Sequence, residues 1–386
     1  MAKKILLILA ILLSTLKPSF AIEEMVLGEE LFSEILQECE LKVEQKTLKE
    51  KLSDIYHLEI EQIDSPQFLL KDILTKKYDK DSILESSQVW GAYNATLGFD
   101  FIDNEKFGAN YDISYVNLGV DGKLKNNIGD FRLMLNVSPF ANRDFIQLLF
   151  ADVYIATNQI PNHRLIVGNT RPPVGLEGGN SPYLLPFISR SQISRNFGSV
   201  RKLGARISGN YPLVNYDLGI YSSDTYFQSF FPGTEFVGWI NLKPLGLTDG
   251  KYGKLTLGTG VQTGDRNCSY TVAGAYAGYE YKKMLLNFEW ANADGYNGPL
   301  GYALNKHATG LYSTLAYRIS PKVQALVRYD EFRPDKHFSN KKREYVAGIN
   351  YFVKGQALKL VLNYVFCQND ATKNSHRIML GTQILL

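Results

Sequence analysis

The sequence predicts a transmembrane antiparallel β-barrel of about 16 strands behind an N-terminal α-helical extension. Three observations carry that expectation. From Val89 to the C-terminus, apolar and polar residues alternate with a period of two, in runs of about ten residues. Turn signals punctuate the runs: Asp121-Gly122, Lys125-Asn126-Asn127, Asp249-Gly250, Ser320-Pro321 and Lys354-Gly355. Beyond residue 21 no stretch approaches the ~20 apolar residues of a spanning helix, so a chain that crosses a membrane must do so with strands.

The first element is a signal peptide, residues 1–21. Lys3 and Lys4 precede the apolar run Ile5 to Leu16, and Ser19-Phe20-Ala21 supplies small residues for cleavage. Residues 22–86 form the extension. Through Glu85 they hold one glycine, Gly28, and one proline, Pro66, among many Glu, Lys and Leu. Leu41, Leu48 and Ile55 recur every seven residues, with Leu52 and Leu58 beside them, which fits a short coiled coil or a plain helical spacer. Asp64-Ser65-Pro66 reads as the start of a second helix with Phe68, Leu69, Ile73 and Leu74 on its apolar face. The scattered Cys39, Cys268 and Cys367 do not make a disulfide framework.

Residues 87–386 are the barrel. Phe131, Leu133, Leu135 and Val137 share one face of a strand, and so do Tyr345, Ala347, Ile349, Tyr351 and Val353. Leu358, Leu360, Leu362, Tyr364 and Phe366 repeat the pattern, and Ile378, Leu380, Thr382, Ile384 and Leu386 form a last strand. A soluble sandwich or lipocalin-like barrel would alternate in the same way. Some 300 residues of strands exceed such folds, and the polar faces carry Gly, Asn and Tyr where a wetted surface favours Lys and Glu.

One segment breaks the rhythm. The strand at Arg164–Asn169 ends at Arg171-Pro172-Pro173, and Gly175, Gly178, Gly179 and Pro182 forbid a regular ladder before Val200. A loop of about thirty residues inside an ordered domain is usually functional. It contains Arg171, Arg190 and Arg195 and a single acid, Glu177.

Charge is distributed in the same uneven way. Residues 22–86 carry a net charge of −9 and residues 87–386 carry +9. From Arg132 to Arg206 there are nine basic residues, eight of them arginine, against Asp144, Asp152 and Glu177. Strand parity turns Arg132, Arg164, Lys202 and Arg206 to the lumen, because an arginine facing lipid near the midplane costs roughly 2–4 kcal/mol. Arg201 falls on the opposite parity and is expected at the membrane interface. His57, His163, His307, His337 and His376 have no metal-ligand spacing, and no nucleophile elbow is present, so neither an enzyme nor a cofactor site is expected.

The stretch "VGNTRPPVGLE", followed by "SPYLLPFISRS" and a basic strand, resembles the phosphate-selective porin O and P family. The resemblance runs from Val89 to the C-terminus and is most specific at Val167–Ser191. It implies an outer-membrane channel whose loop, at about 170–198, folds into the barrel and builds the constriction. It also implies a homotrimer and an anion site of lumen arginines, lysines and loop serines. The matching positions are Arg171, Ser189, Arg190 and Ser191, with Lys202 and Arg206 on the following strand. The strand parity and charge excess described above add Arg132, Arg164 and Arg195. The expected partners are phosphate, chloride and outer-membrane lipid, with no nucleic acid, and the extension is expected in the periplasm. Leu386 stands where outer-membrane barrels usually end in Phe or Trp. A non-selective diffusion pore and a plugged structural or adhesive barrel remain alternatives.

Overall fold

The computed structural model describes residues 67–102, 107–138, 149–198, 200–224, 231–298, 302–338 and 340–386. The signal peptide and the heptad segment lie outside the described residues, as do Asp64, Ser65 and Pro66. Among the described residues the chain is almost entirely strand. A short strand β1 (Thr75–Lys77) precedes β2 (Leu84–Ile102), β3 (Gly108–Leu124), β4 (Asp130–Asn136), β5 (Phe150–Thr157) and β6 (His163–Thr170). Then come β7 (Lys202–Asn210), β8 (Val214–Ser222), β9 (Thr234–Leu242), β10 (Lys254–Asp265), β11 (Ser269–Tyr281) and β12 (Met284–Tyr296). The chain finishes with β13 (Leu304–Ser320), β14 (Val323–Arg333), β15 (Lys342–Lys354), β16 (Leu358–Asn369) and β17 (Ser375–Leu385).

Each strand from β2 to β17 pairs antiparallel with its neighbour in sequence, and β17 pairs with β2 from Ser375↔Ile102 to Leu385↔Ala92. The result is a closed barrel of 16 strands. Closure is what permits strands in hydrocarbon, since an open edge would leave peptide N–H and C=O groups without partners.

The pleat sorts the side chains. Leu118, Ile155, Val167, Ile220, Ile240, Phe288, Leu315, Val327, Ile349, Leu360 and Leu380 stand exposed on the outside. Asn117, Gln262, Glu289, Thr314, Arg328, Asn350, Lys359, Asn363 and Gln383 are buried on the inside. A polar interior under an apolar exterior is the membrane arrangement and the reverse of a soluble barrel. Strands β4 to β9 span 7–9 residues, while β2 and β3 span 19 and 17. About 9–11 residues cross a bilayer, so the longer strands project beyond it.

Two expectations are corrected here. Asp121-Gly122 is not a turn: β3 runs through it, Asp121 faces Arg132 across the ladder, and the chain turns at Lys125-Asn126-Asn127. Asn126 and Asn127 take the left-handed conformation there (φ 56° and 53°), which asparagine tolerates better than most residues. The second helix and the boundary at residue 86 also give way. After one helical turn, in which Leu74 N donates to Leu70 O (3.0 Å), the chain extends into β1. β1 pairs with Ser86–Gln88, the part of the β2 edge that β17 does not reach.

The segment before β2 is therefore a strap across the closure seam. Leu69 N donates to Leu385 O (3.0 Å), Val89 N to Leu74 O (3.2 Å), and Gly91 exchanges both backbone bonds with Leu386. Phe68 packs on Trp90, with ring centroids 5.5 Å apart, and Trp90 also meets Tyr183 of the long loop edge-on at 6.3 Å. Gly119 makes room for the indole, for a Cβ there would lie 2.2 Å from Trp90.

Trp90→Ala is expected to cost about 3–5 kcal/mol, because one ring holds both the strap and the loop. A lower urea midpoint of the refolded barrel, followed by heat-modifiable gel mobility, would show it.

Candidate functional site

The 31 residues between β6 and β7, Arg171 to Arg201, form the longest connection among the strands. They contain a single α-turn α1 (Gly175–Gly178), a 3-10 turn at Pro182–Leu184 and the helix α2 (Gln192–Phe197). α2 is capped by Ser191, whose Oγ accepts from Ser194 N at 3.3 Å.

The loop does not stand above the barrel; it lies inside. Leu176 N donates to Glu289 on β12 (3.2 Å), and Gln192 N donates to Asp330 on β14 (2.8 Å). Asn350 on β15 donates to Pro186 O (2.8 Å), Lys359 on β16 to Leu185 O (3.1 Å) and Gln383 on β17 to Tyr183 O (3.2 Å). Ile188 N donates to Asn363 (2.9 Å), and Asn117 on β3 donates to the Tyr183 hydroxyl (2.5 Å). Polar wall residues thus satisfy the backbone of an irregular segment that has no ladder of its own. Gly175 is needed for this approach: its φ is +67°, and a Cβ would lie 1.9 Å from Glu289 Oε1.

The apolar side of the loop packs against one side of the barrel interior. Val174, Ile193 and Phe197 pack against Trp239, Val272, Ala291, Tyr296, Tyr312 and Phe332 on β9 to β14. The wall from β3 to β8 carries a row of arginine–aspartate pairs. Arg132 forms two bonds with Asp121, both 2.7 Å, and Arg164 forms two with Asp130, at 2.7 and 2.6 Å. Arg201 bonds Asp152 at 2.6 Å, and Arg206 lies 3.5 Å from Asp217. Arg171 donates to Asn180 O (2.9 Å), Arg190 donates to the carbonyls of Glu177 and Asn180, and Arg206 Nη1 reaches Arg171 O (3.4 Å). Arg171, Arg190 and Arg201 lie within electrostatic reach of one another, and Arg171, Arg201 and Arg132 within reach of Asp152. Six arginines here stand against four aspartates.

Of the residues singled out in the sequence, Arg132, Arg164, Arg171, Arg190 and Arg206 come together on this wall. Four do not. Ser189 presents its carbonyl to Arg328 (3.2 Å), and Ser191 is wholly buried as the α2 cap. Arg195 bonds Glu344 (2.6 Å) beside Lys342, on the β15 side of the loop. Lys202 does turn inward, but it is sealed with Glu235, both side chains 0% exposed, and Tyr270 donates to the same carboxylate at 2.6 Å. Arg201 is a correction in the other direction. β7 begins only at Lys202, so strand parity does not reach Arg201, which turns to Asp152 instead of the interface.

Sequence reading missed the wall residues that fasten the loop: Glu289, Arg328, Asp330 and Glu344. A signal was present in β14, where Val327 and Tyr329 alternate with Arg328 and Asp330. Parity puts both charges inside, yet their partners are remote in sequence. Cys268 and Cys367 are free thiols, and no cluster of metal-ligating residues occurs among the described residues.

Residues 247–385 match the family model described as phosphate-selective porin O and P. No curated protein matches the sequence. Solved structures do. The chain is similar to an anion-selective porin from Comamonas acidovorans, with a TM-score of 0.58 and 10% identity over 78% of this chain and 99% of that one. It is similar to the outer membrane channel DcaP of Acinetobacter baumannii, with a TM-score of 0.57 and 10% identity over 80% and 99%. A trimer form of Vibrio cholerae OmpT gives a TM-score of 0.52 and 8% identity over 78% and 99%. At such identities the likeness is one of fold. Fold and family match both point to a porin-type barrel. The family it resembles is the phosphate-selective porin O and P family, and the matched segment covers β10 to β17 rather than the loop on which the sequence reading laid most weight.

Lys202→Met should strand the Glu235 carboxylate and cost about 3–5 kcal/mol in urea unfolding. Single-channel conductance should keep its wild-type value, because the pair has no access to lumen water.

Proposed function

We propose that the chain is a channel for passive diffusion of small anions, chloride and phosphate among them, and not an enzyme. The carrying observation is the excess of arginine over aspartate where the loop narrows the lumen. Charges closer than a Debye length, ~8 Å at physiological salt, reinforce one another, and low-dielectric walls focus their field. The guanidinium fork fits an oxyanion in two-point contact.

Release follows from the same geometry. The Arg132–Asp121 and Arg164–Asp130 side chains are 24–33% exposed, so both pairs keep contact with lumen water. An arriving anion competes with an aspartate for the guanidinium, and the aspartate later takes it back. No anion is held tightly, which a conducting pore requires. The resemblance to an anion-selective porin supports the reading. A second reading, a non-selective pore, draws on the same pairing, since four of the six arginines stand beside carboxylates.

The channel works as a homotrimer, a reading supported by the similar OmpT trimer form, and the N-terminal extension lies in the periplasm with no cofactor or nucleic-acid partner. Light scattering of the detergent-purified protein is expected to give three times the chain mass.

Single-channel recording in planar bilayers under a chloride gradient tests the conduction. The reversal potential should favour anions, and added phosphate should block chloride current. Arg190→Ala should lower the anion-to-cation permeability ratio roughly threefold. A large conductance that ignores phosphate and lacks anion preference would select the non-selective pore. No conductance at all would discard both readings.

A further inference from the structure

Glu177 is the single acid of the loop, and two arginines flank it. On the wall side is Arg328 of β14. Its Nη2 donates to Glu177 Oε1, its Nη1 to Ser189 O (3.2 Å) and its Nε to Thr314 Oγ1 (3.1 Å). The guanidinium lies between the rings of Phe187 in the loop (4.3 Å) and Tyr312 on β13 (5.1 Å). Arg328 is 4% exposed and Glu177 3%. The other carboxylate oxygen, Oε2, accepts from Ser191 N at 2.7 Å.

On the lumen side is Arg190. It donates to the Glu177 carbonyl oxygen and lies within electrostatic reach of the Glu177 carboxylate, but its bonds go only to carbonyls. The carboxylate is therefore shared out by position. Held by Arg328, it is neutralised inside the wall; released, it has Arg190 within electrostatic reach.

We propose that Arg328 is a selectivity-determining positioning residue: it holds the Glu177 carboxylate in the wall and so leaves the Arg190 charge to the permeating anion. This rests on the anion-channel reading and adds a residue that never meets the ion. Every hydrogen bond of Arg328 goes to the protein, and its two-ring sandwich prevents it from turning to the pore. A buried charge pair that loses one member leaves the other uncompensated, and the survivor seeks a new partner.

The test is a set of reversal potentials under a potassium chloride gradient for wild type, Arg328→Gln, Glu177→Gln, the double variant and Arg328→Lys. Arg328→Gln should lower the anion-to-cation permeability ratio roughly threefold, as losing one lumen charge would. Glu177→Gln alone should keep or raise the ratio, and the double variant should return it to wild type. Arg328→Lys keeps the charge beside Glu177 and should keep the ratio. If Arg328 served only to shape the loop, lysine would fail as glutamine does and the double variant would stay low; either result overturns the proposal. A drop in Glu177→Gln, which leaves Arg328 intact, overturns it even if Arg328→Gln does not assemble. A selective wild type with an unchanged Arg328→Gln defeats this inference alone. A wild type without anion preference defeats the anion reading and this inference together.

Discussion

Hydrocarbon offers no partner to a peptide N–H or C=O, and the rest of the structure follows from that. The sheet must close, so β17 returns to β2, and a ring of 16 strands fixes how much space lies within. Sixteen strands enclose more than wall side chains can fill. Arg171 to Arg201 answer that geometry by folding inward, and they bring a second demand of the same kind, because their own peptide groups have no ladder. The inner wall meets it with amides and charges: Asn350, Asn363, Gln383, Lys359 and Asp330 each bond a loop backbone atom. Much of the polarity inside the barrel thus serves the loop.

The lumen is consequently divided. On β9 to β14 an apolar cluster of the wall acts as a small protein core for Val174, Ile193 and Phe197, beside buried charges that bond the loop. On β3 to β8 the wall is charged. Rigidity on the first side positions Arg171 and Arg190 on the second, so packing energy and electrostatics meet in one thirty-residue segment. Pairing each wall arginine with an aspartate keeps the guanidiniums extended and aimed, a form of preorganisation that also limits the net field.

The fold was legible because a period of two is a direct imprint of the pleat. Leu358, Leu360 and Leu362 fall outside as parity requires, and the loop announced itself through Pro172, Pro173 and Gly175. The site was legible only in part. Parity could turn Lys202 inward but could not reveal Glu235 waiting 33 residues on, which makes it a sealed pair. Arg201 lay one residue outside the strand that was meant to orient it. Ser191 resembled an anion ligand in the loop motif and is spent as a cap. The misses at Lys202 and Arg201 involve a partner supplied by a remote strand, and composition carries no record of such pairings. The turn assigned to Asp121-Gly122 failed for a related reason: the aspartate is there to face Arg132, not to bend the chain.

The strap over the seam bears on the order in which the molecule can be built. Leu69 bonds Leu385 and Phe68 rests on Trp90, so a segment at the front of the barrel needs the final strand before it can dock. The Leu69–Leu385 contact joins residues more than three hundred positions apart, which places its formation after the intervening hairpins have zipped. Docking of the strap is thereby a late event that reports on completion: it rewards a barrel that has closed in register, and a barrel shifted by one residue at the seam would leave Leu69 and Gly91 without Leu385 and Leu386.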